Sequence, residues 1–220
     1  MKTETIKKAK QHTVYKTTEG KRVPGVTTIL GVLAKPALIK WANNLGLQGI
    51  DSTKYVDGLA SIGTLAHHMV ECEWSKEEPD LGDYSPDEID KAENALISFY
   101  NWQGEHDVNP KFVEEPLVSE QYHYGGTIDC YAEVDGKMTL LDLKTGKGIW
   151  PEHFHQLAAY QVLLEEAGWD IDNVRILRIG RDETEGFEER VVMVKELEPH
   201  WDIFEHCLAL YGLQKTIRGK

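Results

Sequence analysis

The spacing of apolar positions changes twice along the chain, and the changes mark out its elements. Over residues 36–47, and again over 53–74, apolar side chains recur three and four positions apart, as on a helix with one buried stripe. Both segments are expected to wind against a core, the second through Leu59, Ile62, Leu65, Ala66, Met69 and Val70. Ser85, Pro86 and Glu88 form a helix start, with a capping side chain, a proline at the first helical position and a glutamate three residues after the cap. A third helix is therefore expected to run to about Gln103. The period then shortens to two, and residues 111–118, 125–134 and 138–144 are β-rich runs separated by turn residues. Asp135-Gly136 is a hairpin turn signal. After Pro151 the helical period returns and ends at Gly168; strands follow over 174–180 and 187–194, and a last helix over 198–216. Ahead of all these, β-branched runs flank Glu19-Gly20-Lys21, which predicts an N-terminal hairpin.

This order, helices, three strands, a helix, two strands and a helix, is an α/β arrangement with a central mixed β-sheet flanked by helices. With 220 residues, 41% hydrophobic and 28% charged, the chain is read as a single domain, residues 1–220. Its hairpin and helical region cover 1–105, and its core covers 106–220 plus the helix over 53–74. No apolar run nears the ~20 residues that span a bilayer, and the basic, polar start lacks a secretory apolar stretch, so a cytoplasmic protein without membrane contact is expected. Cys72, Cys130 and Cys207 lie far apart and form no C-x-x-C pair, so no disulfide framework is indicated. A net charge of −13 argues against a protein that grips nucleic acid with its whole surface. Any phosphate site must be local. Lysines gather at 2, 7, 8 and 10 and at Lys144 and Lys147, arginines at 175, 178 and 181, and acids crowd positions 71–93.

Asp142-Leu143-Lys144 places an acid and a base two positions apart. Composition alone predicts about three such acid-x-Lys tripeptides, and three occur, so the motif by itself carries no information. Two of them have a central glycine and read as turns. The third ends the apolar run 138–141, where strand alternation sends Asp142 and Lys144 to one face. Pairing about Asp135-Gly136 sets Asp129 of the preceding strand against a position near 142. Two converging carboxylates repel, and a divalent cation relieves them. Oxygen ligands suit Mg²⁺, and an added imidazole admits Mn²⁺. On spacing alone, the competing reading is an exposed hairpin whose acids face water, and it is the more frequent one.

Four motifs in order, Gly63-Thr64-x-x-His67, Gly125-Gly126-Thr127-Ile128-Asp129, Leu140-Leu141-Asp142-Leu143-Lys144-Thr145 and Gln156-x-x-x-Tyr160, resemble the RecB-like branch of the PD-(D/E)XK nuclease superfamily. The segment Val23-Pro24-Gly25-Val26-Thr27-Thr28-Ile29-Leu30, with Leu38 and Trp41, further resembles phage exonucleases and the mitochondrial genome-maintenance exonuclease group. The resemblance implies a restriction-endonuclease-like core with a helical arch over residues 36–105, and a Mg²⁺- or Mn²⁺-dependent DNA exonuclease acting on single strands or ends. It further implies that Asp129, Asp142, the Leu143 carbonyl and His67 hold the metal, that Lys144 orients or deprotonates water, and that Gln156 and Tyr160 border the site. Glu114 is the best-placed additional acid, with Glu115 and Glu120 as rivals.

Lys147, Arg175 and Arg178 are candidates for phosphate contact, a solvated strand edge being the alternative. His68 competes with His67, and Glu71 is a candidate partner for His67. His153 and His155 are read as capping or solvent residues. Three scattered cysteines do not provide the four that the iron–sulfur relatives use, so no cluster is expected. No G-x-x-x-x-G-K-[ST] loop is present, so any motor or replication or recombination protein would act in trans. The rival function classes are a non-catalytic nucleic-acid-binding or assembly protein that keeps the fold, and a sequence- or structure-specific endonuclease.

Overall fold

The computed structural model describes residues 13–219, and the lysines at 2, 7, 8 and 10 lie outside that range. Six α-helices occur among the described residues, α1 (Val26–Leu30), α2 (Pro36–Leu47), α3 (Ser52–Ser75), α4 (Pro86–Gly104), α5 (Pro151–Glu166) and α6 (Glu198–Ile217). Five strands, β1 (Val108–Ser119), β2 (Tyr124–Val134), β3 (Lys137–Lys144), β4 (Asn173–Ile179) and β5 (Phe187–Met193), form one sheet in the order β1-β2-β3-β4-β5. All neighbours are antiparallel except β3 and β4, which run parallel because α5 carries the chain back between them.

Local chemistry explains the element ends. The Ser85 hydroxyl accepts from the Glu88 N–H while the Glu88 carboxylate accepts from the Ser85 N–H, the reciprocal cap that starts α4. Asp51 caps α3 by accepting from the N–H groups of Thr53 and Lys54. Asp135 and Gly136 both have positive φ, 51° and 75°, so Val134 pairs directly with Lys137 across a two-residue turn.

Helices cover both faces of the sheet. On one face α1, α5 and α6 enclose Tyr124, Leu140, Val174 and Ile176, with Leu157, Leu163 and Phe204 packed among them. On the other, the C-terminal half of α3 and all of α4 cover Cys130, Val134, Leu141 and Leu177 with Leu65, Met69, Phe99 and Trp102. Each fully buried side chain of this size stabilises by about 1.5–3 kcal/mol. The three cysteines are buried and reduced, and no described helix is long and apolar enough to cross a membrane.

The structure corrects three expectations at the N-terminal side. The hairpin shrinks to a single bridge between Lys16 and Arg22, and the second β-branched run forms the helix α1 instead. Its Val26, Ile29 and Leu30 bury themselves against α5 and α6, so packing overrides strand propensity. Helix α2 forms where the periodicity predicts but buries no residue, leaving Leu38, Ile39 and Leu47 exposed. The segment 36–105 is not one arch, because α4 and half of α3 are core layers and only α2 and the start of α3 project.

Two glycines let the chain close tightly around the start of β2. A Cβ on Gly125 would meet the Tyr15 ring at 2.4 Å, and one on Gly126 would meet Tyr160 Cε1 at 2.4 Å. Gly58, inside α3, faces open space. Gly126→Ala and Gly125→Ala should each destabilise the protein by about 1–3 kcal/mol in urea unfolding, whereas Gly58→Ala should stabilise it by about 0.5–1 kcal/mol.

Candidate metal centre and active site

Strand β2 is bordered by β1 on one side along most of its length, but its other side is shared. Strand β3 pairs with residues 130–134, and Gly25 bridges Gly125, whose N–H donates to the Pro24 carbonyl at 3.0 Å. Between these two borders the stretch 126–129 has no strand beside it on that side, and there the sheet forks. Asp129 sits at the fork, one residue beyond the last pair, Cys130 with Leu141. Continuing that register puts it opposite Asp142. The Leu143 N–H, past the end of the β2–β3 ladder, donates to Asp129 Oδ2 at 2.9 Å.

Three ligand-type side chains converge here. His67, Glu114 and Asp129 each offer an atom, and the three atoms lie within 4.8 Å of one another. His67 Nδ1 is 3.6 Å from Asp129 Oδ2. His67 reaches the fork because Gly63, one helical turn earlier, lets α3 press against the end of β3; a Cβ there would meet Thr145 Oγ1 at 2.6 Å. Glu114 stands in β1 opposite Asp129 and has φ of 51°, a left-handed conformation that costs a non-glycine residue of order 1 kcal/mol or more. The pairs Val113–Cys130 and Glu115–Ile128 flank it, so the strain falls at the position that turns a carboxylate toward Asp129 and His67.

Asp142 is 1% exposed and lies outside that trio. Neither of its oxygens has a well-directed hydrogen bond, although Lys144 Nζ approaches Oδ2 at 2.5 Å. The ammonium therefore acts as a close counter-charge without satisfying the lone pairs. Burial pushes the Asp142 carboxyl well above the ordinary carboxylate range; Lys144 opposes this and the nearby charge of Asp129 adds to it. A buried, under-bonded carboxylate beside three convergent ligands suits a divalent cation, and the oxygen-rich donor set with one imidazole fits Mg²⁺ or Mn²⁺.

On α5, Gln156 Nε2 donates to Tyr160 Oη at 2.8 Å, and the Tyr160 ring packs on Gly126. Burial holds the Tyr160 hydroxyl protonated, with Asp129 and Asp142 among the smaller contributors. Burial and then the Lys144 charge push His153 down to about 4, so the imidazole beside Lys144 is neutral at pH 7. Its Nδ1 accepts from the Trp150 N–H at the start of α5. Beside it a cleft of about 220 Å³ is lined by Thr27, Lys35, Trp150, His153 and Gln156, among others.

Several candidates stand elsewhere. His68 contacts Glu71 at 3.3 Å and Cys72. Glu115 is exposed, and Glu120 accepts from the Thr18 N–H. Arg175 and Arg178 are turned inward, Arg175 bound to Glu189 at 2.9 Å and Arg178 to Glu188 at 3.3 Å. Their guanidiniums tie β4 to β5 instead of forming an exposed phosphate track, as alternate residues of a covered strand must face a helical layer. Lys147 lies in the half-exposed loop before α5. Sequence reasoning missed His153 as a neighbour of Lys144 and Trp150 and Lys35 as lining of the cleft; only the helix start after Pro151 hinted at His153.

No protein-family model matches this sequence, and no curated protein matches it. Among solved structures, the crystal structure of LHK-Exo in complex with dAMP aligns over 74% of this chain and 91% of that chain, with 10% identity and a TM-score of 0.36, a likeness too slight to bear on fold or chemistry.

The Asp142 shift has a definite sign. Its folded pKa lies above the ordinary 3.8, so the folded state binds this proton more tightly than the unfolded state. In the absence of metal, Asp142 therefore contributes a stability gain as pH falls from neutral through the raised value, complete near 3.8. Asp142→Asn should remove that pH-dependent segment and stabilise the metal-free protein at pH 8 by about 1–3 kcal/mol, read by urea unfolding in EDTA. A destabilised variant at pH 8 would contradict the assignment.

Proposed function

We propose that this protein is a divalent-metal-dependent DNA nuclease of the PD-(D/E)XK type, hydrolysing phosphodiester bonds as an exonuclease on single strands or ends. The observation that carries the reading is the convergence of His67, Glu114 and Asp129 at the sheet fork beside the buried Asp142–Lys144 pair. The order of motifs, from Gly63 to Tyr160, supports it. In this reading His67, Glu114, Asp129, Asp142 and the Leu143 carbonyl are the residues that would hold Mg²⁺ or Mn²⁺. The bound ion supplies Lewis acidity and a more acidic water.

The chain's own groups divide the remaining work. Lys144 is mostly buried but retains an open side. Its three N–H donors hold the attacking water in line with the phosphorus and offset charge that builds on the phosphoryl oxygens. Asp142 keeps that ammonium in position. The Gln156–Tyr160 hydrogen bond locks two side chains of α5 against Gly126, so the wall next to the fork is rigid when a strand is seated. Trp150, 55% exposed at the rim of the cleft, presents an indole face for base stacking. A replication or recombination protein would act in trans.

The net charge of −13 favours a second reading, a non-catalytic binding or assembly protein. Incubation with end-labelled single- and double-stranded DNA, linear and circular, with Mg²⁺, Mn²⁺ or EDTA separates the readings. Metal-dependent loss of label from linear single strands, with circles spared, is expected; cut circles would mark an endonuclease, and no cleavage would leave the binding role. Lys144→Ala should lower turnover by about 10³-fold while leaving the circular dichroism spectrum and DNA retention in place. An undiminished rate in that variant would refute the mechanism.

A further inference from the structure

Helix α6 uses one side to cover the core and leaves a second apolar seam uncovered. Phe204 and Cys207 face inward, whereas Ile203, Leu210, Leu213 and Ile217 are exposed, the last two by 62% and 85%. With His206 these positions, 203, 206, 210, 213 and 217, alternate by three and four, the a/d repeat of a helix that pairs with another helix. The His206 ring is turned back onto the Asp202 carbonyl at 2.6 Å, which leaves the seam's apolar members outward. Along about 21 Å of helix the seam runs from an apolar groove of about 350 Å³, walled by Leu33, Ile203, Cys207 and Leu210 among others, to the projecting Ile217. A hollow and a knob thus lie at opposite ends of one stripe.

Charge along α6 has the same polarity. Glu198, Asp202 and Glu205 occupy the N-terminal half, and Lys215 and Arg218 the C-terminal end. Two copies aligned parallel stack like charge on like; aligned antiparallel they set the acidic half of one against the basic end of the other and oppose their helix dipoles. We propose that α6 is a self-association surface on which a second copy of this chain docks antiparallel about a two-fold axis near Leu210. That symmetry brings the second copy's Ile217 to Ile203 and its groove, and the contact is isologous and closed, giving a dimer and not a filament. The seam lies on α6, away from the sheet fork, so the dimer and the nuclease reading stand or fall separately.

Light scattering of the full chain across micromolar concentrations should show a particle of twice the 25.0 kDa chain mass. Leu213→Glu, at an exposed position that folding does not need, should halve that mass with an unchanged circular dichroism spectrum and unchanged DNA cleavage. Mixing Ile203→Cys with Ile217→Cys copies under mild oxidation should yield the mixed 203–217 disulfide. A monomer at every concentration, a dimer that survives Leu213→Glu, or disulfides formed only between identical variants would each overturn the proposal.

Discussion

Asp142 puts a carboxylate where water does not reach, and most of what surrounds it can be understood from that constraint. A buried charge needs opposite charge and directed donors. Lys144 provides the first at 2.5 Å, but neither oxygen has a well-directed hydrogen bond. Strand alternation makes the arrangement unavoidable once Leu141 and Leu143 face the α3–α4 layer, because Asp142 and Lys144 must then share the opposite face, beneath α5. Such a site persists only if the rest of the fold over-determines it, and here six β3–β4 pairings and the Cys130–Leu141 ladder do so.

The second constraint is the fork. A sheet whose central strands remained paired would offer backbone, not side chains, at its middle. By ending the β2–β3 ladder at Cys130 and resuming the border of β2 only at Gly125, the chain opens a short gap that Asp129 occupies. Three of the close approaches around the gap fall at glycines. Gly63 admits Thr145, Gly125 admits Tyr15, and Gly126 admits Tyr160. These contacts set the positions of α3, the N-terminal segment and α5 relative to β2, and so carry His67 and the Gln156–Tyr160 pair to the same place. The strained backbone at Glu114 belongs to the same design, since the backbone cost there is borne where a carboxylate is aimed at the cluster.

The molecule's electrostatics are correspondingly local. An overall charge of −13 repels a polyanion at long range, and the arginines of β4 are spent on Glu188 and Glu189 inside the sheet layers. At the fork Lys144 is paired with Asp142, and in the cleft Lys35 is paired with Glu152 at 3.0 Å, while burial holds His153 neutral.

Much of the architecture was legible in the amino-acid order. Helix and strand periods located ten of the eleven helices and strands to within a few residues, the Ser85–Glu88 pair marked the start of α4, and turn arithmetic about Asp135-Gly136 set Asp129 against Asp142. These features are local, governed by side-chain period, capping and turn geometry that neighbours in sequence dictate. Where burial decided, sequence alone misled. The β-branched run at 26–30 became a helix because α5 and α6 offered it a core, and α2 kept its helical period yet found nothing to cover it. The inward turn of Arg175 and Arg178 rests on which helix layer faces which strand. That is a property of long-range packing, which spacing along the chain does not encode.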